Sequence, residues 1–362
     1  MKQLFEPVTV GCLSLKNRLI RSATFEGAFD EQESFASELI KRYEQLALGG
    51  IGAIITGMVG IDKNSRVLPS MVKAYGETFV PELKKITERV HALDTKIIVQ
   101  ISHCGLKAGQ SDDGGPALGP SEWEKSPEKV VKAMSHEDIR SAVSSFATAA
   151  AHCQAAGADA VQIHGAHGYL LSEFLNPFFN HRTDEYGGGI ENRARIVFEV
   201  YEAVRATVGP NYPVWIKLNS KDLTEPSISS DEFLWLGGEL DKRGIAAIEV
   251  SGGAAVNART SSMQVVRNEE DEGCFADEAL KLADKTSVSI ISVCGFRTPD
   301  IIEKWLNKGK LQAVSMCRPL ISEPDLARRW QSGNKTKSRC ISCNKCFSPG
   351  EGVECRAFAK IG

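Results

Sequence analysis

Two histidines and a tyrosine stand close together in His164-Gly-Ala-His-Gly-Tyr169, separated only by small residues. Two neutral imidazole N–H groups aimed at one point would polarise a carbonyl oxygen, and a phenol can donate a proton to carbon. Gly165, Ala166 and Gly168 leave room for a flat ligand against the backbone. The same pair could instead ligate a metal, although no carboxylate cluster follows at a suitable spacing, or be satisfied by its own loop. Gln100 and Lys217 each lie in an apolar run. A buried amide and a buried ammonium need partners, so both are expected to face a polar heterocycle, the alternative for Lys217 being an ion pair with Glu249. Later come Ser251-Gly-Gly253, Gly295-Phe-Arg297 and Cys317-Arg318. Glycines let the backbone approach a ligand and arginine suits a phosphate, although any one of these glycines could simply make a tight turn. Together the features describe a flat, phosphorylated, hydrogen-bonding cofactor, which fits a flavin mononucleotide without singling it out.

Of the ten cysteines, four crowd together as Cys340-x2-Cys343-x2-Cys346-x8-Cys355. Met1 to Pro7 does not read as an export signal, and no apolar run approaches the roughly 20 residues of a membrane span, so a reducing cytoplasm is the expected compartment. There the crowding reads as metal ligation rather than disulfides. Four thiolates accept either a [4Fe-4S] cluster or tetrahedral zinc, and a remnant that holds no metal is the third reading. The 43 Lys plus Arg against 46 Asp plus Glu leave a net charge of -3, so neither nucleic acid nor an anionic membrane is an expected partner. With 42% hydrophobic and 25% charged residues the chain excludes disorder and coiled coil, and small-molecule chemistry becomes the default.

The elements that must position these groups are eight short β-branched runs: 18–22, 51–56, 96–101, 158–164, 213–218, 246–250, 288–293 and 311–316. Between them lie helical periods. Ser135 with Asp138 opens one, carrying Ile139, Val143, Phe146 and Ala150 to Gly157, and the stripe from Ile190 to Val208 stops at Gly209-Pro210. Eight strands alternating with helices predict an α/β fold, a (β/α)8 TIM barrel, with an open doubly wound sheet as the competitor. The stretch from His103 to Met134 shows little helical or strand character and reads as a binding loop. Residues 1–331 are expected to form the barrel, and 332–362 a linker with a short C-terminal cysteine-rich tail.

The sequence resembles the old yellow enzyme family of flavin-dependent ene-reductases from Leu4 to about Trp330. The resemblance rests on Leu15-Lys-Asn-Arg-Leu-Ile-Arg-Ser-Ala-Thr24, Val99-Gln-Ile-Ser-His103, the stretch from Ile163 to Leu175, Asn180-His-Arg-Thr-Asp-Glu-Tyr-Gly-Gly188 and Glu191-Asn-Arg193. It implies a barrel that binds FMN, takes hydride from NADH or NADPH, and passes it from flavin N5 to the β-carbon of an α,β-unsaturated carbonyl compound. Position by position, it implies flavin contacts from Ala23, Thr24, Gly57 and Met58, with Gln100 at the pyrimidine edge. Lys217 falls where many relatives have Arg, and Ser251, Gly253, Gly295, Cys317 and Arg318 fall in the ribityl and phosphate loops, Cys317 replacing a common glycine. His164 and His167 would bind the substrate carbonyl, and Tyr169 would protonate the α-carbon. Phe25 stands where several relatives place Thr or Cys against flavin O4, with Glu26 beside it as a charge. The tail resembles a contracted form of the iron-sulfur segment of the 2,4-dienoyl-CoA reductase and trimethylamine dehydrogenase branch. There a further domain feeds electrons through the cluster, so a redox partner protein is the alternative electron source, and homo-oligomers are common in the family.

Overall fold

The computed structural model describes residues 1–24, 26, 37–68, 71–109, 114–126, 129–254, 256–257, 261–346 and 353–358. All eight expected runs become strands: β1 (Leu19–Arg21), β2 (Ala53–Ile55), β3 (Lys96–Ser102), β4 (Ala160–Gly165), β5 (Val214–Asn219), β6 (Ala247–Ser251), β7 (Ser289–Val293) and β8 (Ala313–Met316). Each pairs in parallel with the next, β8 pairs with β1, and β3 pairs with β4, so the sheet closes into a barrel. The open doubly wound sheet is thereby excluded. Helices connect the strands on the outside. Helix α1 (Ser37–Leu48) precedes β2, α2 (Phe79–His91) precedes β3, and α3 (His136–Ala155) precedes β4. The circuit continues with α4 (Arg195–Val208), α5 (Ser230–Lys242), α6 (Ala276–Lys285) and α7 (Pro299–Lys308).

Local chemistry sets the helix ends. Ser135 Oγ accepts from Asp138 N while Asp138 accepts from Ser135 N at 2.8 Å, the reciprocal box that the spacing predicts. Helix α4 ends at Gly209, whose φ of +79° suits glycine. The stripe expected from Ile190 divides into a single turn, Ile190–Arg193, and α4. No described helix is long and apolar enough to cross a membrane.

The barrel interior is layered by the period of two along each strand. Ile20, Ile98, Ala160, Trp215, Ala247, Ile291 and Ala313 pack together in a buried floor, closed from below by Val10, Leu13 and Leu15 of an N-terminal hairpin. Two residues further along the strands come Ser22, Gln100, Gln162, Lys217, Glu249 and Ser315, all buried and polar. The next positions, including His164, Asn219 and Ser251, reach the mouth.

One expectation fails. The stretch from His103 to Met134 is not devoid of structure: Gly105–Lys107 makes a 3-10 turn, and Leu118–Gly119, Trp123–Ser126 and Lys129–Ala133 form a three-stranded sheet. None of the three is an apolar, β-branched run like those of the barrel: they read Leu-Gly, Trp-Glu-Lys-Ser and Lys-Val-Val-Lys-Ala. What holds this sheet over the barrel is tertiary: Trp123 packs its ring 5.5 Å from Phe178 and 5.6 Å from Phe179, both on the segment after β4.

Trp215 is fully buried in the floor, so Trp215→Ala should cost about 3 to 5 kcal/mol. Urea unfolding measures it, and a loss below about 1 kcal/mol would mean that the floor collapses to fill the space.

Candidate active site

Above the polar layer lies a cavity of about 360 Å³. Twelve of the fourteen residues expected to hold cofactor or substrate line it: Ala23, Thr24, Met58, Gln100, His164, His167, Tyr169, Lys217, Ser251, Gly295, Cys317 and Arg318. The other two stand behind the wall. A Cβ on Gly57 would lie 2.6 Å from the Thr24 carbonyl oxygen, so glycine there lets the first two loops touch. Gly253, with φ of +89°, accepts from Asn219 Nδ2 at 3.1 Å.

The electrostatic centre is Glu249. Its carboxylate accepts from Ser22 Oγ at 2.7 Å, Ser315 Oγ at 2.6 Å and Gln162 Nε2 at 2.9 Å, and Lys217 Nζ lies 3.3 Å away. Burial alone would raise its pKa, but Lys217 and these donors outweigh burial and lower it. The ion pair and the cavity placement therefore hold together for Lys217: its Nζ donates to Ser22 Oγ at 2.9 Å and still lines the cavity.

His164 follows Gln162 on β4 and pairs in register with Lys217. Its ring centroid is 5.4 Å from that of His167 and 4.8 Å from that of Tyr169. His167 has φ of +63°, a left-handed turn that folds it back beside His164; its N–H donates to Asn219 Oδ1 at 3.1 Å and its Nε2 shares a hydrogen bond with Ser251 Oγ at 2.7 Å. Burial first, then the positive charges of Lys217 and Lys107, holds both imidazoles well below the ordinary histidine pKa. Burial raises the Tyr169 phenol, so it keeps its proton. The Lys107 ammonium sits 4.7 Å from the Tyr169 ring centre and donates to the backbone oxygens of His167 and Ala254.

Two buried residues, with three polar atoms between them, fit the test of a missing polar ligand. Among the described residues His164 Nδ1 has no hydrogen-bond partner, and neither Nε nor Nη2 of Arg297 has one, although Glu272 Oε1 is 3.7 Å from that Nε. Both residues line the cavity. A neutral imidazole, an ammonium, two guanidinium groups and a glycine of positive φ at Gly295 form the donor set that a phosphorylated flavin requires.

The spacing of the sequence singled out neither Asn219, which joins His167 to Asp222 through a 2.7 Å bond, nor the tail's contact with the cavity. Asn219 was detectable two residues beyond Lys217 on the inward face. Cys340 and Ser342 line the cavity, and Arg318 donates to Ser342 Oγ at 2.8 Å, to Asn344 and to the Gln264 carbonyl. Among the described residues no three of Cys340, Cys343, Cys346 and Cys355 bring their sulfurs within 4.8 Å of one another. Glu26 is no free charge: it is buried against Arg21 and accepts from Tyr43 at 2.7 Å. Phe25 lies outside the described residues.

The sequence profile of the NADH:flavin oxidoreductase / NADH oxidase family matches residues 3–337. The chain belongs to that family. Its members similar to this chain include a metal reductase of Desulforamulus reducens, 33% identical over 95% of this chain and 51% of its own length. A cinnamate reductase of Clostridium sporogenes is 29% identical over 95% of this chain and 55% of its own length. Among solved structures, the old yellow enzyme homologue from Zymomonas mobilis superposes with a TM-score of 0.79 at 26% identity, covering 94% of this chain and 96% of that one. The chain thus spans about half the length of the two reductases and nearly all of the old yellow enzyme homologue. Family membership and this likeness relate it to flavoproteins of the old yellow enzyme type.

The depressed histidines link site and stability. Unfolded histidines take up protons near about pH 6.5 that the folded pair refuses, so their contribution is complete above that value and is lost as pH falls through it. The double variant His164→Asn/His167→Asn should lose less stability than the wild type between about pH 7.5 and about pH 5 in urea titrations. An unchanged pH slope would mean that both rings titrate normally in the folded protein.

Proposed function

We propose that this chain is an FMN-dependent ene-reductase acting on an α,β-unsaturated carbonyl compound, an enone or enoate, with NADH or NADPH as reductant. The observation that carries this reading is the convergence of His164, His167 and Tyr169 on one cavity, with both imidazoles neutral. Family membership supports it, as does likeness to a relative named cinnamate reductase. When bound, the flavin would supply two-electron hydride transfer between the nicotinamide and the alkene carbon.

The residues divide the remaining work. Gln100, Lys217, Gly295, Arg297 and Arg318 would hold the flavin, with Ala23, Thr24, Met58, Ser251 and Cys317 as further walls and Gly57 and Gly253 shaping the loops behind them. His164 would donate from a nitrogen to the substrate oxygen and stabilise the charge that grows there. A neutral donor suits this role because it need not lose a proton to work. With Nε2 on Ser251, His167 keeps Nδ1 for the ligand. Tyr169 would hold its proton until it is delivered to the α-carbon, which its raised pKa favours.

The tail is assigned as a [4Fe-4S] ligand set, Cys340, Cys343, Cys346 and Cys355. The four thiols are spaced as a cluster ligand set is, and burial first, then the neighbouring thiols of Cys317, Cys340, Cys355 and Cys343, push Cys346 up to about 12. Iron and acid-labile sulfide analysis after anaerobic purification should give iron in excess of zinc; zinc without sulfide would reverse the assignment.

Purified protein should carry flavin bands that bleach with NADPH or NADH and return with cyclohexenone. Colourless protein that cannot be reconstituted with FMN would end the ene-reductase reading. In stopped flow, His164→Ala should slow reoxidation by the enone about a hundredfold or more while flavin reduction falls much less. Equal losses in both half-reactions would remove His164 from the carbonyl.

A further inference from the structure

The structure places a second pair of chemically competent side chains at the edge of the cavity, and the proposed reduction uses neither. Cys274 Sγ and Cys294 Sγ lie 2.9 Å apart, and the Cys294 thiol donates to Cys274. Cys294 immediately follows β7, lines the cavity and is buried; Cys274 belongs to the segment that precedes α6 and is exposed. The two backbones are fastened side by side, because Gly273 N donates to the Cys294 carbonyl at 3.1 Å. Cys294 also has φ of +99°, a left-handed conformation that favours glycine. A side chain at that position is disfavoured by the backbone, and its thiol points at the Cys274 sulfur.

We propose that Cys274 and Cys294 are a peroxide-oxidisable dithiol that closes to a disulfide across two loops bounding the cavity. Disulfide bonds measure about 2.05 Å, so closure needs the sulfurs to approach by less than about 1 Å. The roles of the two thiols differ. Cys274 meets solvent and is the attacking group, since the hydrogen bond from Cys294 and the positive charge of Arg318 favour its thiolate. Cys294 is enclosed and holds its proton, as a resolving thiol does.

The oxidant is a hydroperoxide. Cys274 sulfur attacks the peroxide, an S–O bond forms as the O–O bond breaks, and the departing hydroxide takes a proton to leave as water. Cys294 sulfur then attacks Cys274 sulfur, the S–S bond forms as S–O breaks, and a second water leaves with the Cys294 proton. Two thiols are oxidised by two electrons and one hydrogen peroxide is reduced to two waters. A dithiol reductant reverses the bond. The product ties the residues before α6 to the turn Val293 to Arg297, where the buried guanidinium of the cavity is carried.

The test is peptide mapping of the purified holoprotein under hydrogen peroxide, with remaining thiols alkylated before digestion. The expected result is a cross-linked peptide containing Cys274 and Cys294, lighter by two hydrogens than its parts, formed before any cross-link within the tail and removed by dithiothreitol. Cys274→Ser should abolish it. Cys294→Gly, which relieves the backbone at that position, should fold and leave Cys274 as a sulfinic acid or, with glutathione present, as a mixed disulfide. Wild-type protein whose Cys274 becomes sulfinic while Cys294 stays alkylatable would overturn the proposal, as would a cross-link from either residue to the tail cysteines.

Discussion

The site depends on a carboxylate at the centre of the barrel. Glu249 is fully buried, and its oxygens draw donors from the ends of four other strands: Ser22 after β1, Gln162 on β4, Lys217 on β5 and Ser315 on β8. A buried ion pair is seldom more stabilising than an apolar pair of the same volume, so its value here is positional. A carboxylate can only accept, which forces Gln162 to turn its NH2 toward it. The Gln162 oxygen is then left to accept from Gln100 Nε2 at 2.7 Å. Gln100 in turn keeps its carbonyl oxygen for the cavity. A charge that no ligand touches thereby fixes the polarity of an amide that a ligand would meet.

The same carboxylate holds Lys217 beneath the histidines. Lys217 and Lys107 approach the His164 and His167 pair from different elements, β5 and the 3-10 turn after β3, and both disfavour an imidazolium. A site with this charge pattern repels protons and attracts negative charge. It is therefore matched to a reaction in which an oxygen becomes more negative, and mismatched to one that needs a cationic acid. Tyr169, whose proton is retained by burial, would be the acid in the proposed reduction.

How much of this was readable beforehand follows from the length scale of each feature. All eight barrel strands were legible because each sits within an apolar, β-branched run that stands out from its neighbours, and Ser135 with Asp138 is a signature contained in four residues. Twelve cavity residues were legible because strand ends, period two and a family resemblance point to the same positions. The three-stranded sheet over the mouth was not, since strands as short as Leu118–Gly119 exist only through the packing of Trp123 on Phe178 and Phe179. Nor was the Cys274 and Cys294 contact, made by residues twenty apart and brought together by one backbone hydrogen bond.

The tail shows the same limit with a larger consequence. By composition, residues 332 onward read as a linker, yet the segment is stitched back onto the barrel. Thr336 accepts from the Trp330 indole at 2.9 Å, Ser338 N donates to the Arg297 carbonyl at 2.9 Å, and Val266 N donates to Ser342 Oγ at 3.0 Å. Arg318 spends both terminal nitrogens on Ser342, Asn344 and Gln264, so the guanidinium that the eighth strand offers to the cavity is positioned by the tail. Arg297, whose Nε and Nη2 have no hydrogen-bond partners among the described residues, has donors to spare. The family match ends at residue 337, and Cys340 and Ser342 lie beyond it. The mouth of the cavity can therefore diverge through residues outside the barrel while the Glu249 network below it stays unchanged.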